Sequence, residues 1–273
     1  MKRVLLIVAM FVVGFAFAQK KEKIKGNKEV IEVYKNLPAY SQLDIADGLE
    51  VSLMQTGAAG YRLKTDSNLV DVIKIEVVDS VLKVYTTLHI SSSKKLEIHL
   101  TSAQINQINL SQGAKLEGQN LIQSDSLGIA TLNNSKYNLD VASANLAINM
   151  RGNSNGKLIY RGDNLTMGLN DGALVKGNVS ATNFDLVIND RADMNIEGNC
   201  ENLNLIATGS TDIKAKDLNV THAKINGSNN SDIYVYSNKD LSLYAKGKSN
   251  VYVYGNPKIN IEGLSDKSQI IKK

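Results

Sequence analysis

From Ile108 onward the chain repeats itself. An apolar residue opens a short alternating run every nineteen residues, at Ile108, Leu127, Leu146, Leu165, Phe184 and Leu203, and the register then slips to Ala223, Leu241 and Ile259. Within a run the period is two. Phe184, Leu186 and Ile188 point one way while Asp185, Val187 and Asn189 point the other, as in a strand with one buried face. A second run follows after a polar turn, as at Met194 and Ile196, Ile213 and Ala215, Ile233 and Val235, and Val251 and Val253. One such unit cannot bury its inward row alone, so units must stack at the strand spacing of about 4.8 Å. A helical solenoid would need apolar spacings of three and four and would avoid the recurrent Gly and Asn. The expected fold is therefore all-β: a right-handed parallel β-helix (β-solenoid) with coils of about 19 residues and an N-terminal β cap.

Residues 1–18 have the parts of a secretory signal peptide: Lys2 and Arg3, an apolar core from Val4 to Phe15, and Ala16-Phe17-Ala18 as cleavage site. The core is shorter than the ~20 residues of a spanning helix, and no second apolar segment is long enough, so no stable membrane span is expected after cleavage. The whole chain has 31 Lys and Arg against 27 Asp and Glu. Without Lys2 and Arg3 the excess is +2, which makes no case for a nucleic-acid partner. Residues 19–37 read as a basic, flexible leader and 38–263 as a single solenoid domain, with 38–104 forming the cap and first coils and 105–263 the regular coils. Residues 264–273 read as a C-terminal tail. Turns are expected at Asp47-Gly48 and Asp79-Ser80. The lone Cys200 has no disulfide partner in the chain and falls on the inward side of its strand, where it serves as a small apolar residue.

Stacking turns the repeat into columns. One holds Asn155, Leu174, Asp193, Asp212, Asp232 and Asn250. Asp193, Asp212 and Asp232 on successive rungs suit Ca²⁺, which takes several oxygen ligands, and close carboxylates also suit glycan cleavage. The commoner role of Asp and Asn at such a position is turn chemistry with their own backbone, and it applies to Asp171 and Asp190 as well. A second column is aromatic. Tyr234 pairs with Tyr252 and Tyr236 with Tyr254, all four alternating with inward Ile and Val, so they form an outward two-by-two patch with Tyr244 nearby in the chain. Such tyrosines either stabilise the sheet as cross-strand pairs or bind a sugar or protein surface. His89, His99 and His222 belong to no metal-spacing motif, and the chain has no nucleophile elbow, phosphate loop or Cys/His cluster.

Four stretches carry a family resemblance: "LDIADGLEVSLMQTG", "TDSNLVDVIKIEVVDSVLKVYT", coils such as "LNLIATGSTDIKA", and "LSLYAKGKSNVYVYGNPKINIEG". Over residues 38–263 the chain resembles the "putative auto-transporter adhesin, head GIN domain" family of exported Bacteroidetes-type proteins. The resemblance implies a parallel β-helix-like fold and a cell-envelope role, in the periplasm, at the outer-membrane surface or outside a Gram-negative cell. The expected function is a non-enzymatic adhesion or binding protein whose partner is a cell-envelope glycan or protein. Two alternatives stand beside it: a polysaccharide lyase or hydrolase using the Asp columns, and a self-associating spacer that forms homo-oligomers.

Overall fold

A computed structural model describes residues 21–273. The signal peptide expected at 1–18 lies outside the described residues. The described chain contains no α-helix and folds as a β-solenoid of about nine turns. Its regular part consists of long bent strands, one per coil: β13 (Lys136–Met150), β14 (Asn155–Leu169), β15 (Leu174–Asp190), β16 (Asp193–Gly209), β17 (Asp212–Asn229) and β18 (Asp232–Ala245). Each pairs in parallel with the next, and Leu146, Leu165, Phe184 and Leu203 lie in register at the expected nineteen-residue step. The slip follows as read, with Leu203 against Ala223 and Ala223 against Leu241. The row opened by Leu146, Leu165, Phe184, Leu203, Ala223 and Leu241 is buried, including Phe184, Leu186 and Ile188 at 0–1% exposure.

One corner explains why the step is so regular. Asn133, Gly152, Asp171, Asp190, Gly209, Asn229, Gly247 and Asp266 all have positive φ, and they occupy equivalent places in successive coils. These residue types tolerate that conformation at least cost. Two residues further on, the corner turns inward at a small side chain: Ser135, Ser154, Ala173, Ala192, Thr211, Ser231 and Ser249, all buried. Ser135, Ser154 and Ser249 return their hydroxyls to carbonyls three residues earlier, at 2.6, 2.7 and 2.9 Å.

The N-terminal end is built out of sequence order. β3 (Gln42–Ile45) and β4 (Glu50–Gln55) are successive strands of a coil, joined at Asp47 and Gly48, and they stack in parallel under β10 (Gln107–Leu110) and β11 (Lys115–Gly118). Beneath them lie β7 (Val81–Thr86) and β9 (Leu96–Ser102), which come later in the chain. Antiparallel strands close this end. β6 (Ile73–Val78) turns back on β7 at Asp79 and Ser80, β5 (Gly60–Asp66) runs along β9, and β2 (Val30–Asn36) runs along β5.

Three sequence expectations are corrected. The leader at 19–37 is not a flexible linker across its described part, because β1 (Lys23–Lys25) pairs with β8 (His89–Ser92) and β2 joins the cap. Their partners lie far along the chain, so the local basic composition gave no sign of them. The tail at 264–273 carries a further strand, β21 (Gln269–Lys272), laid on β19 (Asn250–Gly255), while β20 (Lys258–Leu264) lies on β18. Ile108 stacks on Ile129 of β12 (Ile122–Thr131) rather than on Leu127. The two additional residues preserve the alternation, so the apolar pattern reads the same in either register.

Candidate binding face

Ile233 and Val235 in β18, and Val251 and Val253 in β19, are buried at 0% exposure, which sends the residues between them outward. Tyr234 pairs with Tyr252 and Tyr236 with Tyr254 on adjacent rungs. The rings of Tyr234 and Tyr252 stack with centroids 4.5 Å apart and planes 6° from parallel. The Lys273 ammonium stands 5.6 Å from the Tyr252 centroid, on which it makes a cation–π contact. Burial, then the neighbouring Tyr252 and Asp232, raise the Tyr234 pKa above its ordinary value, so the phenol remains a hydrogen-bond donor at neutral pH. Each ring of the pair gives one face to the other. The pair thus presents ring edges and hydroxyls outward, a surface suited to hydrogen bonding together with apolar edge contact.

Charge borders this patch in compensated pairs. Lys214 lies directly below Tyr234 in the column and is bonded to Asp212 at 2.6 Å, an interaction that raises the lysine pKa. Lys216, Asp217 and Leu218 find no partner in β18, and this bulge beside Tyr236 holds a Lys216–Asp217 pair at 2.9 Å. Tyr244 belongs to a different stretch of the coil, in register with Asn226 and Gly263, and it does not join the four.

The acidic column is in register as read: Asp193, Asp212 and Asp232, with Asn155 and Leu174 before and Asn250 after. Two of its carboxylates are engaged between coils, while Asp212 pairs within its own strand through Oδ2 and keeps Oδ1 buried without a partner. Asp193 accepts the Asp212 backbone N–H at 3.0 Å, Asp212 holds Lys214, and Asp232 accepts the Asn250 amide at 2.8 Å. Among the described residues no group of three or more His, Cys, Asp or Glu side chains is placed to hold a metal ion. Asp171 and Asp190 serve the left-handed corner, where Asp171 Oδ2 accepts the Gly152 N–H at 2.9 Å. His222 bonds Asp240 at 2.9 Å, while His89 and His99 lie in β8 and β9 of the cap.

One column went unread in the sequence. Asn145, Asn164, Asn183 and Asn202 form an exposed amide ladder, in which Nδ2 of Asn164, Asn183 and Asn202 donates to the Oδ1 of the preceding coil at 3.0, 2.9 and 3.1 Å. Four Asn at nineteen-residue intervals were the available signal.

The family model described as "Putative auto-transporter adhesin, head GIN domain" matches residues 39–173 and again 153–257. The chain belongs to this family. Two overlapping matches to one model are what a repeating chain should produce. The four outward tyrosines, Tyr234, Tyr236, Tyr252 and Tyr254, all fall within the second match to the head GIN domain. A crystal structure described as a putative adhesin from Parabacteroides distasonis superposes with a TM-score of 0.71 at 18% identity, covering 92% of this chain and 100% of that one. A second, a putative adhesin from Parabacteroides merdae, gives 0.64 at 17% identity over 92% and 99%. A third, described as a putative lipid binding protein from Parabacteroides distasonis, gives 0.60 at 17% over 92% and 97%. At these identities the likeness is one of fold. No curated protein matches the chain. No helix among the described residues is long and apolar enough to cross a membrane.

Proposed function

We propose that this adhesin-family solenoid is exported by the signal peptide at 1–18 and acts at the cell envelope as a non-enzymatic binding module. Its ligand, a glycan or a protein surface, docks on the face formed by Tyr234, Tyr236, Tyr252 and Tyr254. The observation that carries this reading is the stacked Tyr234–Tyr252 pair with a second tyrosine pair in register beside it. Four outward aromatics are preorganised by the sheet, so little side-chain freedom remains to be lost on binding. The engaged Asp column supplies no observation that favours the cleavage alternative.

The test is a glycan-array experiment on residues 19–273, with and without Ca²⁺, following both retention and release of shortened products. Retention without cleavage, lost when the four tyrosines are changed to Ser in a chain that still melts cooperatively, is the expected result. Retention untouched by those changes removes the tyrosine face from the reading. Shortened products replace the binding module with an enzyme.

A further inference from the structure

The two ends of the solenoid are closed differently. Antiparallel β2, β5 and β6 run along the N-terminal end. At the other end β20 pairs with β18 and β21 with β19, and among the described residues nothing lies beyond them. Ile259 and Ile261 rest in register on Leu241 and Leu243, which are wholly buried. The upper layer is open. Ile259, Ile261 and Leu264 are 37%, 54% and 50% exposed, a continuation of the core row along an unpaired strand edge.

We propose that this end is a self-association surface on which two copies meet tail to tail, β20 of one running antiparallel to β20 of the other about Asn260. The segment Lys258-Ile259-Asn260-Ile261-Glu262 is complementary to its own reverse. With Asn260 opposite Asn260, Ile259 faces Ile261 of the second copy and Lys258 faces Glu262 of the second copy. The apolar row is covered, the charges oppose, and the free backbone groups of β20 find partners. Glu262 is free to take this role, because its contact within the chain is a long one to Lys224 at 3.9 Å. Asn260 meeting its own copy repeats a pairing the chain already makes between Asn145 and Asn164. A two-fold contact of this kind closes at the dimer. Growth into head-to-tail fibres is opposed by the N-terminal strands, whose edges carry Glu32, Lys35, Lys74 and Glu76. The dimer sets two tyrosine faces, each one coil from the contact, in a single bivalent assembly.

The test is sedimentation equilibrium on residues 19–273 with Lys258→Glu and Glu262→Lys made separately, each checked by its melting curve. The native chain is expected to dimerise with concentration. Each variant alone opposes like charges at both cross-pairs and is expected to raise the dimer dissociation constant about tenfold or more. An equimolar mixture of the two variants restores both Glu–Lys pairs and is expected to return the dimer. A native chain that stays monomeric to about 1 mM, at the weak end of specific association, overturns the proposal. So does a dimer that both variants leave intact, or a mixture no tighter than either variant.

Discussion

The carboxylate of Asp66 accepts the backbone N–H of Lys28 at 3.1 Å, across a separation of 38 residues. It also takes the N–H of Lys94 at 3.1 and 3.2 Å and that of Lys95 at 3.3 Å, and it is fully buried. Gly26 lies against it where any side chain would collide with the carboxylate. One acid thus ties the N-terminal segment to the end of β5 and to the turn before β9. Burial pushes its pKa up, but the N–H donors of Lys94, Lys28 and Lys95 and the Lys94 charge outweigh that, and the net shift is downward. A depressed carboxylate stabilises the fold above its unfolded pKa of about 3.9, and that contribution disappears as pH falls through the lower folded value. Melting temperature and amide protection at Lys28, Lys94 and Lys95 should therefore fall together below about pH 4. Asp66→Asn should be less stable at neutral pH and lose part of the acid dependence. An Asp66→Asn variant that tracks the native melting temperature at every pH would contradict this role.

Cys200 is 3% exposed, and its thiol donates to the Asn202 carbonyl at 3.2 Å. Burial pushes its pKa up to about 12, so almost no thiolate exists at neutral pH. Alkylating reagents should leave the native chain unlabelled and modify Cys200 at the unfolding transition. Rapid labelling under native conditions would show the coil opening locally.

The Tyr160 hydroxyl lies between the Ser143 and Asn164 carbonyls, at 2.9 and 3.0 Å, inside the coil. A methyl group on Gly162 would run into the Ser143 carbonyl oxygen and the Tyr160 ring. Gly162→Ala should cost about 1–3 kcal/mol through overpacking, and Tyr160→Phe about 1–2 kcal/mol through the unpaired carbonyls. Because the two side chains share one space, the double variant should cost less than the sum, read from denaturant midpoints.

Asp190 has φ of 64° in the corner column, where neighbouring coils place Asp171 and Gly209. Asp190→Gly should stay within about 0.5 kcal/mol of the native chain. Asp190→Val, with a branched Cβ in the left-handed region, should cost about 1–2 kcal/mol. Equal melting temperatures for the two variants would mean that the corner relaxes instead of holding its backbone.

How far the fold was legible depends on whether a constraint acts within one coil or between distant ones. Leu146, Leu165, Phe184 and Leu203 could be aligned from spacing alone, because each coil must bury an alternating row and turn at a corner tolerant of positive φ. A fixed step also converts spacing into adjacency, which is why the Tyr234 and Tyr252 column was readable and the Asn145 ladder was there to be read. The ring stacking, the charge pairs around it and the bulge at Lys216 were decided by packing between coils. So was the order of layers in the cap, where β7 and β9 slide beneath β3 and β4 although they follow them in the chain. Alternation records which face a residue turns to the core. It is silent on which strand lies alongside, as the stacking of Ile108 on Ile129 shows, because a shift of two residues leaves every side chain on the same face and only the tertiary contacts distinguish the registers.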